Sequence, residues 1–124
     1  MPRRILIVDD NAIIRQSLRT CIEDNTDWEV CGEADNGRNA IEQVRQLSPD
    51  AVILDWQMPE MNGLEAAREI HRLAPSTFML MITLHDFGSL RQEAHAAGIK
   101  EVLSKTDHVS EKLVISLRNV RTGT

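Results

Sequence analysis

Three aspartates follow two apolar segments of the chain, and carboxylates in such positions can bind a cation or attack a phosphoryl group. Ile5–Val8 runs directly into Asp9 and Asp10, and Ala51–Leu54 runs into Asp55. Two carboxylates about 4 Å apart repel each other by roughly 4 kcal/mol at the effective dielectric of a partly buried site. A chain that gathers three of them is expected to hold a cation there.

The chemistry of these groups favours a hard cation. Carboxylate oxygens without neighbouring Cys or His ligands suit Mg²⁺ or Mn²⁺. Mg²⁺ takes six oxygen ligands and keeps several waters, so one or two carboxylates, a backbone carbonyl and water would satisfy it. One member of the pair Asp9 and Asp10 could instead cap the helix that follows.

Asp55 is also a candidate nucleophile, because a carboxylate can attack a phosphoryl group and form an acyl phosphate. Phosphoryl transfer needs positioning and neutralisation of charge more than further covalent chemistry. Lys105 ends the fifth apolar segment and would supply positive charge, and Thr83 ends the fourth and would donate a hydrogen bond to a phosphoryl oxygen. Separately, each could be an ordinary strand-end residue; together with the acids they favour a phosphoryl site.

The elements that must position these side chains alternate between strand-like and helical patterns. Helical spacing of apolar residues separates strand-like segments, and this alternation predicts a parallel sheet with helices on both faces. Right-handed crossovers favour a doubly wound (βα)5 α/β fold, flavodoxin-like, with strand order 2-1-3-4-5. The predicted strands are Ile5–Val8, Trp28–Ala34, Ala51–Leu54, Phe78–Ile82 and Val102–Ser104.

That order puts the acids at the topological switch point, since strands one and three are then neighbours and ligands bind at their carboxyl ends. The second strand is interrupted by charge and is predicted to be an edge. Asn36-Gly37 and Asn62-Gly63 are predicted helix entries, and Gly98 a helix exit.

Length and composition are typical of one globular domain, residues 1–124. The net charge of −5 argues against a chain that binds nucleic acid or an acidic membrane as a whole. Cys21 and Cys31 lack metal-ligand spacing and are interpreted as reduced packing residues. Neither a signal peptide nor a segment long enough to span a membrane is recognised, so a cytoplasmic location is expected.

The acids, Thr83 and Lys105, with Pro59 and Gly63 behind Asp55, resemble the receiver domain of two-component response regulators over essentially the whole chain. The segment Ile82–Asp86 resembles the NarL/LuxR-type branch. The resemblance implies that Asp55 accepts a phosphoryl group from the phosphohistidine of a sensor histidine kinase.

The same resemblance implies roles for the other site residues. Asp10 and Asp55 would bind Mg²⁺ directly, Asp9 would act through water, and Gln57 would offer its backbone carbonyl. Thr83 and Lys105 would contact the phosphoryl group and act as the switch. Phosphorylation would then change the face formed by helix 4, strand 5 and helix 5.

That face, residues 87–97, 102–104 and 109–120, is the expected output surface and a possible homodimer interface. Relatives of the NarL/LuxR-type branch usually carry a C-terminal DNA-binding domain. The chain is therefore expected either to stand alone or to be the receiver part of a longer protein, and to reach DNA and transcription only through such a domain.

Several positions depart from the common receiver pattern. Thr106 stands where many receivers have a proline, and Val102 where many have an aromatic residue, so a coupled swing of threonine and ring is not expected. Leu84 is bulkier than the usual small residue. Gln57, Leu84 and His85 are predicted to tune hydrolysis of the acyl phosphate by shaping the access of water.

Three alternative classes remain open from the residues. A haloacid-dehalogenase-type phosphatase would need an acid at Gln57. A flavodoxin-type module would need a phosphate loop rich in Ser, Thr and Gly where Asp10–Ile13 stands. A pseudo-receiver, a protein-binding module that no longer accepts phosphate, is the runner-up.

Overall fold

The computed structural model describes residues 3–84, 88–105 and 109–120. In these ranges five strands alternate with five helices, as predicted. The elements are β1 (Arg4–Val8), α1 (Ala12–Asn25), β2 (Glu29–Ala34), α2 (Gly37–Leu47), β3 (Ala51–Asp55), α3 (Gly63–Leu73), β4 (Phe78–Thr83), α4 (Gly88–Ala96), β5 (Glu101–Ser104) and α5 (Val109–Asn119). The observed β3 and β4 each extend one residue further than predicted, so Asp55 and Thr83 are themselves strand residues.

The strands form one parallel sheet in the order β2-β1-β3-β4-β5, which confirms the predicted fold. β1 pairs with β3 from Ile5 opposite Ala51 to Val8 opposite Leu54. Asp9 and Asp55 therefore leave neighbouring strands at the same edge, which is the switch point of the topology. At that edge Thr83 of β4 lies opposite Ser104 of β5.

Successive strand side chains point to opposite faces and fill two separate cores. In β1, Leu6 and Val8 pack towards α2, α3 and α4, whereas Ile5 and Ile7 pack towards α1 and α5. These four side chains are at most 1% exposed. A sheet buried on both faces explains why β1, β3 and β4 read as continuous apolar runs, whereas β2, at the edge, carries the exposed Glu29.

Asparagine side chains cap three helices and fix where the chain turns from strand to helix. Asn36 and Asn62 accept hydrogen bonds from the first turns of α2 and α3, which confirms both predicted helix entries. Asn11 caps α1 through the N–H groups of Ile13 and Ile14. The idea that Asp9 or Asp10 supplies this cap is therefore wrong, and both acids are left for the site.

The two cysteines are free thiols and both are half-buried, as expected of reduced packing residues. Burial raises the pKa of the Cys31 thiol, with a smaller opposing effect from Arg4. Within the described ranges no helix is both long and apolar enough to cross a bilayer.

Candidate functional site

Lys105 brings the two buried aspartates of the site together. Its Nζ lies 3.0 Å from Asp9 Oδ2 and 3.1 Å from Asp55 Oδ1. Asp9 and Asp55 are 2% and 6% exposed, so these ion pairs are shielded from water on most sides. The prediction that residues from β1, β3 and the end of β5 meet at one edge of the sheet agrees with this placement.

Asp10 completes a cluster of three carboxylates. One oxygen from each of Asp9, Asp10 and Asp55 lies within 4.8 Å of the others. Asp10 is exposed while its two neighbours are buried, so the cluster is open to solvent on one side. Hard oxygen donors at this spacing fit Mg²⁺ or Mn²⁺. Lys105 contributes one positive charge against three carboxylates, so a net negative charge remains that a cation can neutralise.

The proximity of the charges shifts two pKa values. Burial, followed by the charge of Asp9, raises the pKa of the Asp55 carboxyl, while Lys105 and the Gln57 backbone N–H oppose that rise. For Lys105, burial alone would lower the pKa, but the hydrogen bond to Asp9 and the charges of Asp55 and Asp9 raise it overall. The ammonium therefore stays charged across the neutral range.

The loop from β1 to α1 fixes the orientation of Asp9. The backbone N–H of Asn11 donates to Asp9 Oδ1 at 2.9 Å, and the Asn11 side chain caps the helix that follows. Sequence reasoning did not assign Asn11 a role in the site. Its position directly after the acid pair, before a helical pattern, was the available signal, because Asn is a preferred N-cap residue.

Gly63 holds the loop after Asp55 close to the strand. Its N–H donates to the Trp56 carbonyl at 2.8 Å. A Cβ at this position would lie 2.4 Å from the Asp55 carbonyl oxygen and 3.0 Å from Trp56 Cα, which are atoms of the backbone. Only glycine allows so close an approach here, which gives a physical reason for the residue that the family resemblance had marked.

Thr83 and Leu84 form the far side of the site. Thr83 is 1% exposed, and its backbone carbonyl accepts a hydrogen bond from the Lys105 N–H at 2.8 Å. Leu84 is 61% exposed at the mouth of the site, where it can limit access. The predicted contributions of His85 and Thr106 fall outside the described residues.

A cavity of about 200 Å³ opens between these groups. It is lined by Asp9, Asp10, Asn11, Ile14, Asp55, Gln57, Thr83, Leu84 and Lys105. All the described residues that the sequence singled out for metal or phosphoryl chemistry therefore face one cavity. It is large enough for a phosphoryl group with a hydrated cation.

A larger groove, of about 520 Å³, lies at the opposite edge of the sheet between the ends of α2 and α3. Its lining contains one carboxylate, Asp50, whose Oδ2 already accepts a hydrogen bond from the Arg4 backbone N–H at 2.8 Å. The groove therefore does not compete with the acidic site as a place for phosphoryl chemistry.

The face predicted to carry the output is partly polar. Arg91 and Glu93 on α4 and Lys112 on α5 are exposed. Glu101 of β5 accepts a hydrogen bond from Ser116 Oγ at 2.8 Å, which ties β5 to α5. Val102, 7% exposed, packs in the same core as Leu90 and Ala94 of α4. Val102, at the position where the resemblance leads one to expect an aromatic ring, is thus a small buried apolar side chain.

Comparison with known proteins identifies the family. Residues 5–116 match the family model described as "Response regulator receiver domain". The chain is 40% identical to "Chemotaxis protein CheY" of Thermotoga maritima over 105 residues, which cover 85% of this chain and 87% of that protein. It is 37% identical to "Transcriptional regulatory protein YdfI" of Bacillus subtilis, over 89% of this chain and 51% of the relative.

Among solved structures, the signal receiver domain of the putative response regulator NarL from Mycobacterium tuberculosis superimposes with a TM-score of 0.86 at 28% identity. The match covers 94% of both chains. Neighbours of the NarL type support the branch suggested by the sequence, although chemotaxis proteins are also among the relatives. The chain spans most of the length of this CheY but about half of that of YdfI, so output activities of longer relatives do not transfer directly. With a matched family model over most of its length, this chain belongs to the response regulator receiver domain family, whose members are signalling domains.

Proposed function

We propose that this chain accepts a phosphoryl group on Asp55 from the phosphohistidine of a sensor histidine kinase in the cytoplasm. The observation that supports this most directly is the placement of Lys105 Nζ, 3.1 Å from Asp55 Oδ1 in a cavity that is open to solvent. A carboxylate oxygen would attack phosphorus, the P–N bond would break, and its electron pair would stay on the imidazole nitrogen. The product is an acyl phosphate on Asp55.

The acid cluster fits a divalent cation in this reaction. Asp10 and Asp55, with the backbone carbonyl of Gln57, would hold Mg²⁺ directly, and Asp9 would act through water. Mn²⁺ could replace it. When bound, the cation supplies positive charge to the phosphoryl oxygens. Lys105 supplies the remaining positive charge from the other side of the cavity.

Phosphorylation would redistribute the contacts of Lys105. The new group carries a charge of about −1.5 to −2, so the ammonium that now bridges Asp9 and Asp55 would turn towards phosphoryl oxygens. The Lys105 N–H already bonds to the Thr83 carbonyl, and this link would pass movement from β5 to β4. Thr83 would then donate to the phosphoryl group and draw the following loop inward.

The proposed output is a shift of the face formed by α4, β5 and α5 between two arrangements. This face would bind a second copy of the chain or an output domain. Control of transcription, the role that the name of the relative YdfI gives for that protein, would require a DNA-binding domain in addition to the receiver. A full reversal of the equilibrium needs about 5.5 kcal/mol of differential stabilisation.

Incubation with acetyl phosphate and Mg²⁺, followed by intact-mass analysis, tests the phosphoacceptor role. One added phosphoryl group is expected in the unsubstituted chain, and none in Asp55→Asn. Asp24→Asn, which alters an exposed carboxylate of α1, is the matched control and should be modified normally. A chain that folds and binds Mg²⁺ but gains no mass would instead be a pseudo-receiver that binds partners without phosphate.

Leu84, His85 and Gln57 are proposed to set the lifetime of the acyl phosphate. Leu84 and Gln57 line the cavity, and both can restrict the water that hydrolyses it. Leu84→Ala should shorten the lifetime by opening the mouth of the cavity. The rate at which the His85→Ala variant loses phosphate tests the role of His85. A lifetime equal to that of the unsubstituted chain would show that His85 does not set it.

A further inference from the structure

Arg15 links α1 to the carboxyl ends of both β1 and β2. Its Nη1 donates to the backbone carbonyl of Asp9 at 2.7 Å, and its Nε donates to Glu33 Oε1 at 2.9 Å. The Arg15 side chain is 18% exposed, so both hydrogen bonds are partly shielded from water. The sequence predicts no role in the site for Arg15, because its hydrogen-bond partners lie at the ends of two different strands.

We propose that Arg15 is a positioning residue for the divalent cation: it holds the peptide between Asp9 and Asp10 in the orientation that the cation requires. The inference rests on the proposed function, because it assigns Arg15 to the same acid cluster. The inference goes beyond the proposed function because it attributes part of the affinity for the cation to a side chain that does not contact the cation.

The hydrogen bonds of Asp9 show why the main chain needs its own support. Asn11 N–H and Lys105 Nζ each bond to one carboxylate oxygen of Asp9, so they orient its side chain. The Asp9 N–H donates to the Ala34 carbonyl at 3.1 Å. The Asp9 carbonyl belongs to the peptide that begins Asp10, and it accepts from Arg15. Since that peptide is planar, fixing the carbonyl also fixes the direction in which Asp10 leaves the strand.

Glu33 holds Arg15 in place, and a second arginine bound to the same carboxylate, Arg19, supplies a matched control. Arg19, one turn further along α1, donates to the other oxygen of the same carboxylate, with Nη2 2.8 Å from Glu33 Oε2. Arg19 Nη1 also lies 3.8 Å from Glu23 Oε2. Arg15 and Arg19 thus carry the same charge and share one carboxylate, but the bond to the Asp9 carbonyl is made by Arg15.

The sign of the effect separates positioning from charge. Removing a positive charge near an acidic cluster strengthens the binding of a cation by electrostatics alone. Loss of the support for the Asp9–Asp10 peptide weakens it. In metal sites, substitution of a group that orients a ligand typically lowers the affinity about 10-fold or more. Positioning therefore predicts a change opposite in direction to that of simple charge removal.

Titration of the full chain with MgCl₂, followed by intrinsic tryptophan fluorescence, measures the affinity. Trp56 lies beside Asp55, whereas the second tryptophan, Trp28, is buried in the core that contains residues of α1 and α5. Arg15→Gln is expected to raise the Kd for Mg²⁺ about 10-fold. Arg19→Gln is expected to leave it unchanged or to lower it. Arg15→Lys keeps the charge but not the two-point hydrogen bonding, and its Kd should rise by a smaller factor. Far-UV circular dichroism checks that each variant is folded.

The inference is overturned if Arg15→Gln binds Mg²⁺ as tightly as the unsubstituted chain or more tightly, or if Arg19→Gln weakens binding equally. Should Arg15→Gln not fold, Arg15→Lys is judged by the same criterion. An unsubstituted chain that shows no response to Mg²⁺ would overturn the proposed function together with this inference. A response that is equal in the unsubstituted chain and in Arg15→Gln overturns the inference alone.

Discussion

The two sides of the proposed phosphoryl site are built differently. On the β1 side, the N–H, carbonyl and both carboxylate oxygens of Asp9 all have hydrogen-bond partners within the fold. On the β4–β5 side, Leu84 is 61% exposed, and the nine residues of α4 bury two side chains, Leu90 and Ala94. The helix of the β1 side, α1, also buries two residues, Leu18 and Ile22, of its fourteen, so the hydrogen bonds of Asp9 are what distinguish the two sides.

This difference indicates that the two sides of the site have different roles. Elements with few buried apolar side chains have the lowest local stability and can rearrange at little free-energy cost. Elements whose polar groups are all bonded keep their geometry. The part of the site around Asp9 that would hold the cation is therefore fixed by hydrogen bonds, whereas Leu84 and α4, on the side that would respond to phosphate, are loosely packed. The effects of substitutions on the free energy of unfolding should therefore differ in size and in sign.

The largest effect is expected from Gly63→Ala, at the rigid centre of the site. The new Cβ would lie 2.4 Å from the Asp55 carbonyl oxygen, so the loop after β3 must move. We expect the free energy of unfolding to fall by about 3 kcal/mol, together with a loss of phosphorylation. Urea denaturation measures the first quantity, and a decrease well below 1 kcal/mol would show that this loop is not fixed.

A smaller effect of opposite sign is expected from Asp10→Asn. The exposed Asp10 carboxylate has an oxygen within 4.8 Å of those of Asp9 and Asp55, so its neutralisation relieves repulsion. Without Mg²⁺ the free energy of unfolding should rise by about 1 kcal/mol.

Millimolar Mg²⁺ should raise the Tm of the unsubstituted chain by mass action, and should have little effect on Asp10→Asn. Differential scanning fluorimetry with and without MgCl₂ compares the two. An equal Mg²⁺-dependent rise in both proteins would remove Asp10 from the cation site.

Two carboxylates should respond to pH in opposite directions. The raised pKa of Asp55 means that its ionisation opposes folding, and this cost disappears as the pH falls through the folded-state pKa towards the ordinary value of about 3.8. Asp55→Asn should therefore be more stable than the unsubstituted chain at pH 7, by an amount that shrinks on acidification.

For Glu33, partial burial opposes ionisation, but hydrogen bonds from Arg19 and Arg15 lower its pKa below the ordinary value of about 4.5. Its stabilising contribution is fully present above that value and is lost as the pH falls through the folded-state pKa. Glu33→Gln should be less stable at pH 7, by no more than about 1 kcal/mol for a pair that is partly exposed. Urea denaturation between pH 7 and pH 3 checks both carboxylates, and pH profiles of the same sign would contradict the assignment.

The smallest effect is expected from Gly88→Ala, at the start of α4. Among the residues that the structure describes, a Cβ there would meet no atom within 4 Å, in contrast to Gly63. Alanine favours the helix and restricts the unfolded chain, so the free energy of unfolding should rise by about 0.5 kcal/mol. A decrease in thermal or urea stability would indicate that the start of α4 is more tightly packed than this comparison implies.

Much of the site followed from the sequence because parallel strands end at one edge. Once the apolar runs before Asp9, Asp55, Thr83 and Lys105 were recognised as strands, the topology alone placed these residues together. The helix entry at Asn62 followed from local preference, since Asn-Gly before an amphipathic pattern is a strong capping signal.

The supporting contacts could not be predicted in the same way. The bond from Arg15 to the Asp9 carbonyl depends on how α1 rotates over the sheet, and Glu33 reaches Arg15 across 18 positions of sequence. The charge in β2 suggested an edge strand, which is correct, but gave no indication that Glu33 receives two arginines. Such contacts depend on packing geometry rather than on residue pattern.

Chemical mapping of the phosphorylated residue tests the central claim most directly. After incubation with acetyl phosphate and Mg²⁺, borohydride reduces an aspartyl phosphate to homoserine, and sequencing of the tryptic peptide that spans residues 46–68 locates it. The account predicts homoserine at position 55 and aspartate at position 50 of the same peptide. Homoserine at another carboxylate, or at none while Mg²⁺ binding is intact, would contradict it.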